Sequence, residues 1–114
     1  MDQHRRLVRK HLATYPRVLD RDTGVAIGRL ADLSVRGIMV VGEEPIELGV
    51  DFSLALELPE PIEGRPTIEL EARSLWSRPA PNPKLKETGF EITQSTDQGG
   101  RMISRLIMSL GLTE

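Results

Sequence analysis

No cysteine occurs anywhere in the 114 residues. That absence excludes a disulfide framework, a thiolate zinc site and a thiol nucleophile together, and it suits a reducing cytoplasm. Histidine is almost as scarce. His4 and His11 lie seven residues apart near the N-terminus with no third ligand beside them, so both are read as non-metal. Without these residue types the rest of the chain lacks the nucleophile and base, or the metal cluster, that a hydrolase or transferase needs, and an enzymatic function is set aside. Aromatics amount to Tyr15, Phe52, Trp76 and Phe90, too few to stack a run of single-stranded bases, so nucleic acid is not an expected partner. No apolar run approaches the ~20 residues that span a bilayer. The start, Met1-Asp2-Gln3-His4-Arg5-Arg6, lacks the apolar segment of a signal peptide. No membrane insertion is expected, and the cytoplasm is the expected compartment.

What is present is ordinary for one folded domain: 39% apolar and 28% charged residues. The net charge of −2 is unevenly spread. Residues 1–17 carry Arg5, Arg6, Arg9, Lys10 and Arg17 against Asp2, a net +4, which leaves −6 on the remaining 97 residues. A basic arm, residues 1–13, therefore precedes an acidic body, residues 14–114, and the arm is expected to be flexible because it has little to bury. Such an arm suits an anion, while the acidic body argues against a broad nucleic-acid surface.

The body reads as short strands. An extended stretch from Tyr15 to Val18 ends in the turn residues Asp20-Arg21-Asp22-Thr23-Gly24, a second strand runs from Val25 to Ala31, and Ile38-Met39-Val40-Val41 forms a third. Gly42-Glu43-Glu44-Pro45 closes it. Phe52 to Leu58 is apolar at every second position, as a half-buried strand requires. Pro59, Pro61, Gly64 and Pro66 then break the chain before Ile68 to Arg73, whose inward parity continues through Ser74 to Trp76. Arg78 to Pro83 is read as a loop, and Gly89-Phe90-Glu91-Ile92 as a sixth strand. Met102, Ile103, Leu106, Ile107 and Leu110 share one helical face, with Asp97 as candidate cap and Gly111 beyond the last turn. Six strands followed by one helix predict an all-β fold, a small antiparallel barrel with a C-terminal helix over an open side or end.

Two local patterns carry chemistry. Arg5-Arg6-Leu7-Val8-Arg9 is an R-x-x-x-R, of which roughly one is expected by chance in a chain this rich in arginine. Asp32-Leu33-Ser34-Val35-Arg36-Gly37 is a D-x-S-x-x-G between the second and third strands, with only about 0.03 to 0.04 chance occurrences. In this order the two resemble the paired signatures of the PilZ family, whose domains bind the bacterial second messenger cyclic di-GMP on a six-stranded barrel. The likeness extends to a glycine-led apolar strand, as at Gly89, before a terminal helix, and it covers nearly the whole chain as a stand-alone domain.

The resemblance implies that Arg5, Arg9, Asp32, Ser34 and Gly37 hold the ligand, with Arg6 beside them. The chemistry fits. Arginine forks match phosphate oxygens and the O6/N7 edge of guanine, and guanidinium planes stack on purines. Asp32 can accept from guanine N1–H and its amine, Ser34 adds a hydroxyl, and Gly37 lets a ligand approach the main chain. Arg36 is either a solvated strand residue or an added charge near a phosphate. For Trp76, parity favours core packing, the alternative being a stacking face for a guanine at the barrel rim. The arm alone reads as a solvated tail and Asp-x-Ser alone as a capped turn; their conjunction reverses both readings. The implied function is a cyclic di-GMP adaptor that signals to a protein partner, in the family's bacterial settings of motility and biofilm formation, with no cofactor. The alternative is an interaction module whose ligand site is vestigial.

Overall fold

Strands form where the sequence alternates. The computed structural model describes residues 16–34, 36–95 and 97–109, without the side chains of 97–99 and 107–109. The arm with Arg5, Arg6 and Arg9, the residue Val35, the Asp97 cap and the end of the helical stripe at Ile107, Leu110 and Gly111 lie outside the described residues or side chains. Six strands are followed by one helix: β1 Arg17–Asp20, β2 Ala26–Leu33, β3 Gly37–Gly42, β4 Asp51–Ile62, β5 Arg65–Pro79, β6 Lys86–Gln94 and α1 Asp97–Ser109. All neighbours are antiparallel, and they close as β1-β2-β3-β6-β5-β4. Closure leaves no long unpaired edge, which removes the usual route to strand-mediated aggregation.

The lumen is filled by the inward set Val18, Leu30, Leu33, Ile38, Val40, Leu54, Leu56, Ile68, Leu70, Ala72 and Phe90. Helix α1 adds Met102, Ile103 and Leu106 to this core against β4 and β5, as its apolar stripe predicts. A smaller outer cluster, Ala31, Met39, Val41 and Ala80 with Leu85, lies where the β5–β6 loop folds over the outside of β2 and β3.

Three sequence expectations are corrected. The prolines do not break the chain between β4 and β5. The two strands form one long hairpin, because Ile62 pairs with Arg65 around a two-residue turn in which Glu63 (φ 52°) and Gly64 (φ 78°) both adopt the left-handed conformation of a tight hairpin. Pairing is interrupted between Glu57 and Ile62, so Pro59 and Pro61 fall where no regular ladder bond is demanded of them. The turn is also tied down, since Glu63 accepts from Arg105 at 3.1 Å and lies 3.7 Å from Arg101 on α1. The second correction concerns Trp76 and is taken up with the site.

Lateral ion pairs fasten neighbouring strands. Arg17 on β1 donates twice to Glu57 on β4, at 2.7 and 2.9 Å, and Arg73 on β5 donates twice to Asp51 on β4, at 2.8 and 3.2 Å. The hydrogen-bonded guanidinium is the main reason that each carboxyl sits below its ordinary pKa. A depressed folded-state pKa contributes stability above the ordinary carboxylate range, and that stability is lost as pH falls through the folded value. Both carboxyls lie near the surface, so salt weakens the effect. The Tm difference between the wild type and Glu57→Gln or Asp51→Asn should therefore shrink as pH falls from 7 through about 4, and shrink at pH 7 on adding 1 M NaCl. Differences independent of both pH and salt would show that the pairs contribute nothing electrostatic.

Candidate functional site

The D-x-S-x-x-G segment is the β2–β3 turn, and its side chains build it. The Ser34 amide donates to the Gly37 carbonyl at 2.9 Å, while the Ser34 hydroxyl accepts from the amides of Arg36 and Gly37, both at 3.2 Å. This is the local capping that small hydroxyl side chains provide at turns. The Arg36 carbonyl accepts from Ile92 at 2.8 Å, which ties the turn to β6. Gly37 pairs with Glu91, and a Cβ there would lie 2.8 Å from the Phe90 carbonyl oxygen, so a larger residue would push β3 away from β6.

Just before the turn, β2 carries a bulge. Leu30 faces Val40 and Asp32 faces Met39, so Ala31 and Asp32 together oppose one residue of β3. Side chains alternate with period two, and one extra residue shifts everything beyond it to the other face. Leu30 and Leu33 stay in the core, while Asp32 is turned outward, half-buried, with Oδ1 accepting from the Leu33 amide at 2.9 Å.

A second bulge does the same on β5. Ser74 faces Phe90 and Trp76 faces Gly89, leaving Leu75 as the extra residue. Ser74 is fully buried, its hydroxyl donating to the Glu47 carbonyl at 2.7 Å and accepting from the Val50 amide at 3.2 Å, which pins the β3–β4 loop. Past the bulge Trp76 is 39% exposed. The core placement expected for Trp76 from parity is therefore wrong, because the inserted residue reverses that parity. Its ring covers Gly89, where a Cβ would lie within 2.5 Å of three indole atoms. Only a bare backbone leaves that space.

The two bulges align four outward positions in one row across the barrel. Asp32 pairs with Met39, Met39 with Gly89, and Gly89 with Trp76. Three interstrand steps of ~4.8 Å make the row about 14 Å long. Along it runs an open cleft of about 240 Å³ lined by Asp32, Ser34, Gly37, Met39, Trp76 and Gly89, together with Ile38, Arg78 and Phe90. Of the residues singled out from sequence, Asp32, Ser34, Gly37 and Trp76 thus meet in one cleft. Arg36 is exposed beside it and does not line it. The third correction concerns Arg78, which the sequence places in a loop and does not single out. It lies on β5, its Nε donates to Glu87 at 2.7 Å, and its guanidinium stands 4.9 Å from the Trp76 ring centre.

The first described residue, Pro16, lies beside this row. The Pro16 carbonyl accepts from the Leu30 amide at 2.8 Å, one residue before the β2 bulge, and β1 pairs antiparallel to β2. A second, larger cavity of about 580 Å³ opens elsewhere on the outer face, lined by Val25, Ile27, Val41, Ile46 and Leu85 among others, and none of the residues singled out from sequence lines it.

Among the described residues no helix is long and apolar enough to cross a membrane, and no cluster of three or more His, Asp or Glu is placed to hold a metal. The PilZ domain profile matches residues 3–109. No curated protein matches in sequence. Among solved structures the fold is similar to the inhibitor of motility MotI/DgrA of Bacillus subtilis, with TM-score 0.68 and 18% identity over 85% of this chain and 46% of that one. The chain thus spans about half the length of that structure. It is similar also to the PilZ domain of YcgR from Escherichia coli, solved with c-di-GMP, with TM-score 0.61 and 19% identity over 84% of this chain and 82% of that one.

The Gly89–Trp76 contact is directly testable. Gly89→Ala should displace the indole into solvent, shifting the fluorescence of the single tryptophan to the red. Trp76→Ala should cost about 1 to 2 kcal/mol, below the ~3–5 kcal/mol of a core aromatic. An unchanged emission maximum in Gly89→Ala would show that the ring does not rest on Gly89.

Proposed function

The chain belongs to the PilZ domain family, and from that premise we propose that it is a cyclic di-GMP receptor, an adaptor rather than an enzyme, acting in the cytoplasm. The observation that carries this reading is the outward row Asp32–Met39–Gly89–Trp76, with Pro16, the first described residue, bonded to Leu30 near its Asp32 end. A cyclic dinucleotide offers two guanines and two phosphates. Asp32 accepts from the N1–H and amine of one guanine, the Trp76 end of the row offers a stacking platform for a base, and the Ser34–Gly37 turn leaves the main chain open to the ligand. Arg5, Arg6 and Arg9 close over the ligand from the arm, supplying forks for phosphate and for the O6/N7 edge, with Arg36 adding charge at the rim.

Ordering of the arm then makes a composite surface that a protein partner reads, a common form of switching. The Ala80–Leu85 loop and the exposed side of α1, at Arg101 and Arg105, are the surfaces proposed for that partner. The similar Bacillus subtilis protein is an inhibitor of motility, which makes a motility component the first class of partner to test.

Calorimetry decides the ligand. Cyclic di-GMP should bind far more tightly than cyclic di-AMP, whose bases present the wrong donors to Asp32. Equal binding of the two would contradict guanine reading, and no binding of either would leave only the interaction-module reading. Arg9→Ala should weaken binding about ten- to hundredfold through lost charge-assisted hydrogen bonds, with the ligand-free Tm unchanged. A fall in that Tm comparable to a core deletion would show that the arm belongs to the fold rather than to the ligand clamp.

A further inference from the structure

The row behind Trp76 is built as carefully as the row that holds it. Glu87 on β6 is paired with Arg78 on β5 and with Val41 on β3. Its side chain is 3% exposed on the outer face of the barrel, where a charge needs a reason to be buried. That reason is Arg78. Glu87 takes the Nε edge at 2.7 Å, and the guanidinium is thereby held over the Trp76 ring at 4.9 Å. An arginine fixed by one edge and one face has a second face and its terminal nitrogens left to present. Those are reachable, since the Arg78 side chain is 52% exposed and lines the same cleft as Asp32, Ser34 and Gly37.

We infer that Arg78 is a ligand-binding residue: its free face continues the Trp76 ring into a stack that takes a purine base of the nucleotide, and Glu87 is the positioning residue that holds it there. Guanidinium and purine are both flat and π-delocalised, so the two stack face to face, and the exposed nitrogens remain in plane to meet a phosphate. Prior alignment by Glu87 and Trp76 spares the ordering cost that a free arginine would incur on binding. The inference rests on the cyclic di-GMP reading and adds to it a cation on the rigid barrel, independent of the arm.

The test is calorimetry with cyclic di-GMP on three proteins, with Trp76 fluorescence and Tm recorded for each. Arg78→Lys keeps the charge and the Glu87 pair but loses the plane, while Arg78→Ala with Glu87→Gln removes both partners and strands no buried charge. Each variant should keep a cooperative thermal transition and bind about tenfold or more weakly than wild type. The Trp76 emission of ligand-free Arg78→Lys should also shift as the flat cation leaves the ring. Wild-type affinity in both variants would overturn the role of Arg78 while leaving the receptor reading intact. A wild-type protein that binds no cyclic di-GMP would overturn the receptor reading, and this inference with it.

Discussion

Two single-residue insertions in the strand ladder govern what this barrel can present. Strand side chains alternate, and in a small closed barrel every inward position is committed to the core, here to Leu30, Leu33, Ser74 and Phe90 among others. A polar or aromatic recognition residue must therefore lie on the outward parity. The bulges opposite Met39 and at Leu75 accomplish this on β2 and β5, two strands separated by β3 and β6. Asp32 and Trp76 consequently face the same way at the two ends of one row. Between them the glycine at 89 gives the indole a surface to lie on, and the Ser34–Gly37 turn holds the Asp32 end in place.

Much of this was legible in the sequence, for identifiable reasons. Alternation at Phe52–Leu58 and Ile68–Ser74, the β-branched run at Ile38–Val41 and the stripe Met102, Ile103, Leu106 are period signals, and each marks an observed element. D-x-S-x-x-G stands between the second and third strands as read, and the capped-turn reading of Asp-x-Ser, which the arm motif outweighs in the sequence, is visible in the hydrogen bonds of Ser34. What failed were inferences that assume an uninterrupted ladder. Pro59 and Pro61 look like breakers, but a gap in pairing accommodates them. Trp76 looks inward by parity, but an inserted residue reverses it, and no local signal in Ser74-Leu75-Trp76 discloses the insertion. Arg78 escaped notice because the Pro79-Ala80-Pro81 that follows it reads as loop, whereas its partner Glu87 is brought to it only by the β5–β6 pairing.

The division of labour that results is physical. The barrel supplies positions set by ladder pairing and a filled lumen, and on the proposed reading the arm, net +3 over residues 1–13, supplies cations for a doubly anionic ligand. The body, residues 14–114 at net −5, has little excess cation of its own, which is why the proposed site draws on the arm and on Arg78. The larger cavity by Val25 and Ile46 is lined by Arg17 and Arg29 but also by Glu43 and Glu44, and by none of the residues singled out from the sequence.

The central claim is that one outward row, rather than the larger cavity, receives the nucleotide. Amide and indole chemical-shift perturbation on adding cyclic di-GMP tests it most directly, because it locates the contact residue by residue. The account predicts large shifts at Asp32, Ser34, Gly37, Met39, Gly89 and the Trp76 indole N–H, with the amides of Val25–Gly28 and Glu43–Ile46 unmoved. Shifts confined to those latter segments, with Asp32 and Trp76 silent, would contradict it.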